Sequence, residues 1–405
     1  MAEAVQARAF DKAQRLKQLP PYLFVEIDKA KRTLQAAGKD VIDLGVGDPD
    51  LPTPPHILER LKSAADDPAN HRYSFTEGIP ELRQAIARWY ERRFSVTLDP
   101  ATEILPLLGS KEGIAHFPLA IANPGDAVLV PDPCYPPYRS GTVFAGAEVV
   151  SMPLLEENGF FPDLGAISQK AARRAKLMFL NSPNNPTAAV ATKEQLQEAI
   201  DLAKEFGFAI AHDAAYSEIA FDGVRPMSFL ELPEAKSVGV EFHSLSKTYN
   251  MTGWRIGFAC GNAKLIAALT QLKTHLDSGI FQPVQWAGIA ALEGDQVLLQ
   301  QAVATYQQRR DVLVDGLTKA GWPVPKPAAS FYLWARVPAP AGATGGSGPS
   351  QETSIAFAKR VLEQSHVVIT PGVGFGPSGE GYVRMSLTVP TDRIQEAVQR
   401  LSKTF

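Results

Sequence analysis

Four short apolar runs, each closed by polar residues, constrain this chain more than any other feature. They are "DAVLVPDP" (126–133), "AKLMFLNSP" (175–183), "FAIAHDAAY" (208–216) and "VEFHSLS" (240–246). Between and before them lie stretches with apolar residues at helical spacing, such as "HILERLKSAADD" (56–67) and "ELRQAIARWYERRF" (81–94). Strands that are apolar throughout need cover on both faces, so this alternation predicts an α/β fold around a mainly parallel sheet. Such sheets bind ligands where their strands end at the carboxyl edge. The polar residues expected to converge there are Asp132, Asn181 to Asn185, Asp213, and Ser244 to Lys247.

The 405 residues suffice for two domains. Residues 1–50 read as an N-terminal arm plus part of a small domain, with a helix in "LPPYLFVEIDKAKRTLQAAGKD" that stops at Gly38. Residues 51–299 read as the large domain and 300–405 as a smaller α+β domain. Within the latter, "PAPAGATGGSGPSQETS" is expected to form a mobile surface loop. A net charge of -3 offers no basic surface for nucleic acid or anionic lipid. Two distant cysteines, Cys134 and Cys260, exclude a disulfide scaffold. No apolar run reaches the roughly 20 residues of a bilayer span, and the polar N-terminus lacks a signal-peptide core. The expectation is a cytoplasmic protein.

The chemistry concentrates in "HSLSKTYNMTGWRIGF" (243–258). Ser244-Leu245-Ser246-Lys247 matches the Ser-x-x-Lys of penicillin-recognising enzymes. Those enzymes also need a later Ser-x-Asn and a Lys-Thr-Gly. Ser182-Pro183-Asn184 precedes Ser244, and neither Lys-Thr-Gly nor Lys-Ser-Gly occurs. The alternative is a Schiff-base lysine, Lys247, with serines and Arg255 nearby to hold an anion. If the partner is pyridoxal 5'-phosphate, its ring nitrogen needs an acid, for which Asp213 at a strand end is suited. Asn185 and Tyr216 could serve the ring oxygen, and Tyr135 could stack on the ring. "GSKEG" (109–113) opens a helix whose amides could receive a phosphate.

The motifs "RYSFTEGIPELR", "GSKEGIAHFPLA", "PDPCYPPY", "NSPNNPT", "HDAAYSEI" and "SLSKTYNMTGWRIGF" resemble, in order and spacing, the fold-type-I aminotransferases that use pyridoxal phosphate. The likeness runs from about residue 20 to the C-terminus. It implies a homodimer in which Lys247 carries the cofactor and moves the substrate α-proton, while Asp213 holds the ring nitrogen. Asn185 and Tyr216 would hold the ring oxygen, with Tyr135 stacked. Ser110, Lys111, Ser244, Ser246 and Arg255 would bind the phosphate, joined by Tyr73 of the second subunit. By the same likeness, Arg384 in "GYVRMSL" grips the substrate α-carboxylate, Gly47 offers it a backbone contact, and Gln282 lies near the substrate across the interface.

"LPPYLFVEID", "GVGDPDLPTPPHI" and "VEFHSLSKTYNMTGWRIGFACGN" are similar to the LL-diaminopimelate aminotransferases in particular. That likeness implies Tyr22 and Lys111 as substrate contacts, and 2-oxoglutarate as acceptor. Glu77 is our candidate for the substrate's distal ammonium. A broad-specificity alanine, aspartate or aromatic aminotransferase shares the same motifs, as does a lyase or synthase on this fold. A non-catalytic binder of the same fold would lack Lys247, Asp213 or Arg384. No metal is expected, because "GDPD" has no accompanying ligand cluster and reads as loop chemistry. His212 and His243, each preceding a key strand-end residue, read as satisfied groups of the core or as supports behind the site, Cys134 as a small buried residue and Asp132 as a turn former. Ala188 stands where the family turn has glycine, which predicts an adjusted turn.

Overall fold

In the computed structural model, which describes residues 11–19, 23–338 and 352–404, the four apolar runs are adjacent parallel strands of one sheet. The strands in chain order are β1 (Ile42–Asp43), β2 (Ile104–Leu107), β3 (Ala127–Asp132), β4 (Glu148–Pro153), β5 (Ala175–Asn181), β6 (Ala209–Asp213), β7 (Gly239–Ser244), β8 (Gly257–Gly261), β9 (Tyr332–Arg336), β10 (Val367–Val368), β11 (Thr370–Pro371) and β12 (Tyr382–Ser386). The large sheet has the order β2-β8-β7-β6-β5-β3-β4. Within it β8 alone runs against its neighbours.

Each central strand feeds two cores because successive side chains point to opposite faces. Leu177 and Phe179 of β5 join Ala211 and Phe242 on one face. Met178 and Leu180 join Ile210 and Phe258 on the other. The first face is covered by the helix Ser110–Ile121 and the second by Pro80–Phe94 and Lys193–Phe206. The latter helix starts with a full capping box, in which Thr192 and Gln195 exchange hydrogen bonds.

The smaller unit is built on the antiparallel order β11-β12-β9. β1 pairs with β10 in parallel, so residues near the N-terminus share a core with Val367, Met385 and Ile394. Ala215, Tyr216 and Ile219, which follow β6, are buried in that same core. The stretch that leaves the cavity edge of the large sheet thus docks directly on the smaller unit. Of the expected surface loop, residues 339–351 lie outside the described residues, as does Tyr22. Its end is helical instead: Thr353 caps the helix Ser354–Ser365 by accepting a bond from the Ala356 amide. Among the described residues no helix is long and apolar enough to cross a membrane.

Candidate active site

A cavity of about 550 Å³ opens at the carboxyl ends of β5, β6 and β7. β7 ends at Ser244 and the chain turns at once into the short helix Leu245–Thr248, which carries Lys247 inward. Its ammonium nitrogen donates to the Gly47 carbonyl at 2.9 Å. Burial pushes the Lys247 pKa down, and the nearby Arg384 and Arg255 charges act the same way against Tyr332 and Asp48. An amine so placed surrenders its proton more readily than an exposed lysine. Gly47 is required here, since a Cβ would lie 1.9 Å from the Tyr332 hydroxyl.

Asp213 ends β6 inside the cavity, 4% exposed. Its carboxylate accepts from the Tyr138 hydroxyl at 2.8 Å and from the Ala215 amide at 3.2 Å. Burial raises its pKa in spite of those bonds. A buried acid of this kind gains from a cationic partner. Beyond it, Asn181 at the end of β5 braces the next loop, accepting from the Asn185 amide at 2.7 Å and donating to the Asp213 carbonyl at 2.7 Å. That brace aims Asn185 at Arg384, whose Nη1 donates to Asn185 Oδ1 at 2.7 Å. Nη2 of Arg384 donates to the Gly45 carbonyl at 2.8 Å. The guanidinium carbon sits 4.1 Å from the Tyr332 ring centre and 4.6 Å from that of Phe375. Tyr216 and Tyr332 share a hydrogen bond of 3.2 Å.

The other end of the cavity suits an anion. The helix Ser110–Ile121 begins there, after Gly109 at φ 82°. A Cβ on Gly109 would meet Arg255 Nη2 at 2.2 Å, so glycine lets the guanidinium lie across the helix start. Ser110, Lys111, Ser244, Ser246, Thr252 and Arg255 all line this end. Amides at a helix start, hydroxyls and two cations form a phosphate-binding set. These residues fit pyridoxal phosphate: an acid for the ring nitrogen and a cradle for the phosphate, with Lys247 between them.

Of the sixteen residues named from sequence, twelve line the cavity, three are described elsewhere, and Tyr22 lies outside the described residues. Lys247, Asp213, Asn185, Tyr216, Tyr135, Ser110, Lys111, Ser244, Ser246, Arg255, Gly47 and Arg384 line the cavity. Tyr73, Glu77 and Gln282 do not line it within one chain. Tyr73 is 88% exposed, Glu77 is exposed and 3.9 Å from Arg83, and Gln282 donates to the Arg72 carbonyl at 3.3 Å. Asp132 does not join the convergent set. It is buried, accepts from Ser151 and from the Ser378 amide, and so faces the smaller unit.

Ala188 also departs from expectation. The turn is not adjusted: Ala188 occupies the left-handed region at φ 60°. Cys134 is buried, and desolvation pushes its thiol up to about 12. Six lining residues escaped the sequence reading, three of them, Val46, Pro136 and Ala215, being neighbours of residues already named. Tyr332 and Phe375 come from the smaller unit, and Thr252 from the loop after Lys247. Tyr138, which holds Asp213, ends the same "CYPPY" in which only Tyr135 was singled out.

Comparison with known proteins agrees with this geometry. Residues 39–401 match the model of the family described as aminotransferase class I and II. The chain is 55% identical to the LL-diaminopimelate aminotransferase of Syntrophobacter fumaroxidans, over 98% of this chain and 99% of the relative. It is 54% identical to the enzyme of that name from Desulforudis audaxviator, over 97% of both chains. Among solved structures, substrate-bound BacF from Bacillus subtilis superposes with a TM-score of 0.90 at 41% identity, covering 97% of each chain.

Proposed function

This chain belongs to the class I and II aminotransferases, which use pyridoxal phosphate, and on that premise we propose that it transfers an amino group from LL-2,6-diaminopimelate to 2-oxoglutarate. The products are glutamate and a ketone that closes on its own distal amine, losing water to give tetrahydrodipicolinate. The observation that carries the substrate is the 50–55% identity, over almost the whole chain, to relatives bearing that activity in their names.

When bound, the cofactor supplies the electron sink that makes the substrate α-proton acidic. The residues divide the remaining work. Lys247 holds the cofactor and then, through its amine nitrogen, takes the α-proton and returns it to the other side of the reacting system. Its depressed pKa favours the unprotonated amine that a base needs. Asp213 keeps the ring nitrogen protonated, with Tyr138 fixing its carboxylate. Asn185 and Tyr216 would serve the ring oxygen, and Tyr135 would stack on the ring. Ser110, Lys111, Ser244, Ser246 and Arg255 bind the phosphate. Arg384 receives the α-carboxylate in bidentate fashion, its plane held by Tyr332 and Phe375. Gly47 gives that carboxylate a backbone contact.

We extend the reading to a cytoplasmic homodimer. There Tyr73 of one subunit reaches the phosphate in the other, while Gln282 and Glu77 approach the substrate and its distal ammonium. Tyr22 and Lys111 complete the substrate contacts. The reading is tested by titrating the holoenzyme with single amino acids and following the visible cofactor band. LL-diaminopimelate should discharge the band far more effectively than alanine, aspartate or phenylalanine. Equal responses would replace this donor with a broad-specificity reading.

A further inference from the structure

Lys273 is a fully buried cation that the proposed reaction leaves unused. It lies in the last turn of the helix Ala263–Thr274, whose Ile266 and Leu269 share a core with Ile114 and Phe117 of the phosphate-end helix Ser110–Ile121. Burying an ammonium is costly unless it is paired. Two carboxylates pair it, Glu112 at 3.2 and 3.1 Å and Asp277 at 2.8 and 2.7 Å. They lead to different parts of the molecule.

Glu112 leads to the phosphate end. It stands in the first turn of Ser110–Ile121, next to Lys111. Its Oε2 accepts from the Leu108 amide at 2.7 Å, and the Leu108 carbonyl accepts from Arg255 Nη2 at 3.2 Å. Glu112 thereby holds the turn on which Arg255 rests. A carboxylate in that place also repels a phosphate, and the Lys273 ammonium offsets its charge.

Asp277 leads to the segment 72–79. Its Oδ1 accepts from the Gly279 amide at 2.7 Å. Gly279, at φ 88°, lies so close to the segment that a Cβ would stand 2.8 Å from Ser74 Oγ and 2.9 Å from the Phe75 carbonyl oxygen. The carbonyl of the next residue, Ile280, accepts from Ser74 Oγ at 2.8 Å and from Gln285 Nε2 at 2.7 Å. Gln285 Oε1 in turn accepts from the Ile79 amide at 2.8 Å. Hydrogen bonds and peptide links therefore run without a gap from Arg255 through Lys273 to the segment that carries Tyr73.

We propose that Lys273 is a positioning residue for two sites at once: through Glu112 it fixes the phosphate cradle of its own chain, and through Asp277 it fixes the segment that this chain lends to its neighbour. The second half rests on the homodimer reading in which Tyr73 crosses to the other subunit.

Hybrid dimers test both halves. When one chain carries Lys247→Ala, only the other chain's site forms the visible band, and the apo-hybrid is titrated with pyridoxal phosphate. Glu112→Ala in the band-forming chain should weaken binding roughly tenfold, about the worth of one charge-assisted hydrogen bond, and should be silent in the Lys247→Ala chain. Asp277→Ala should do the reverse, and Lys273→Met should weaken binding from either chain. Tyr73→Phe in the Lys247→Ala chain tests the crossing by itself. If it is silent there, the crossing reading fails and takes the second half of the proposal with it. If Tyr73→Phe weakens binding while Asp277→Ala and Lys273→Met in the same chain do not, the crossing stands and the proposal fails. It fails equally if Lys273→Met is silent in the band-forming chain, or if all three variants act alike from both chains, the mark of a general loss of structure. Should circular dichroism show Lys273→Met unfolded, the opposite placements of Glu112→Ala and Asp277→Ala decide alone.

Discussion

The cavity and the segment 72–79 are built on opposite plans. In the cavity the functional side chains are the fixed part: Arg384 and Asp213 are 3% and 4% exposed, and each is tied by two hydrogen bonds. In the segment the backbone is the fixed part. Ser74 Oγ donates to the Ile280 carbonyl at 2.8 Å, the Gly78 amide to Phe75 at 2.8 Å, and the Ile79 amide to Gln285 at 2.8 Å. Yet Tyr73 and Phe75 are both 88% exposed. A loop with anchored backbone and two aromatic rings in solvent is a surface suited to being covered. In the proposed homodimer, one chain would complete the ring-binding end and a second chain would complete the rim of the site.

The largest blow to the cavity side is Lys247→Ala. Turnover should fall by about 10⁴-fold or more, with the phosphate cradle still able to bind cofactor. Normal turnover would end Lys247's role. The same residue gives a pH test in the apo-protein. Burial lowers its folded pKa below the 10.5 of the unfolded chain, so the unfolded state binds more protons between those two values and stability rises with pH across that window. Lys247→Met should therefore stabilise the apo-protein at neutral pH and lose the advantage above pH 10.5, as measured by denaturant melts. An advantage independent of pH would break the link to titration.

Next comes Arg384→Lys, which keeps the charge but loses the planar fork and the stacking between Tyr332 and Phe375. One or two charge-assisted hydrogen bonds are worth about 1.5–3 kcal/mol, so KM for the amino donor should rise roughly 10- to 100-fold. An unchanged KM would remove the residue from carboxylate recognition. Tyr73→Phe tests the other side of the contrast, and a loss of about tenfold in cofactor affinity is expected from one hydroxyl on a phosphate. Hybrids of a Tyr73→Phe subunit with a Lys247→Ala subunit then distinguish the two plans. If Tyr73 serves the neighbouring chain, one site of each hybrid is intact and binds cofactor normally. If it serves its own chain, no intact site remains.

The same contrast marks what the sequence disclosed. Strand ends were readable because an apolar run that stops at a polar residue fixes both a strand and its exit, as in "AIAHD" before Ala214. His212 and His243 do lie in the core, each bonded to Glu241, but His212 is satisfied at Nδ1 only, its buried Nε2 having no partner among the described residues. Tyr332 and Phe375 were not readable, because they reach the cavity from the smaller unit across a fold that no local pattern encodes. Asp132 misled: its strand ends at the right edge, but its carboxylate turns to the Ser378 amide. Tyr73 and Glu77 remain outside the cavity of a single chain; a likeness to relatives gives Tyr73 its role, and the substrate's distal ammonium gives Glu77 its own.

The smallest effect lies in the turn that delivers Asn185 to Arg384. Ala188 closes it, donating its amide to the Asn184 carbonyl at 3.0 Å, and does so at φ 60° while 5% exposed. A left-handed residue with a Cβ costs about 1–2 kcal/mol. Glycine relieves that cost but gives back roughly 0.5–1 kcal/mol in chain entropy. Ala188→Gly should then stabilise the protein by about 0.5–1 kcal/mol, raising Tm by roughly 1–2 °C. Its kinetics should not change, since the hydrogen bonds of Asn181 and Arg384 to Asn185 are untouched. A fall in Tm would mean that the buried methyl contributes more by packing than its backbone angle costs. A change in KM without a change in Tm would mean that the strain helps aim Asn185, and would place Ala188 on the functional side of the cavity.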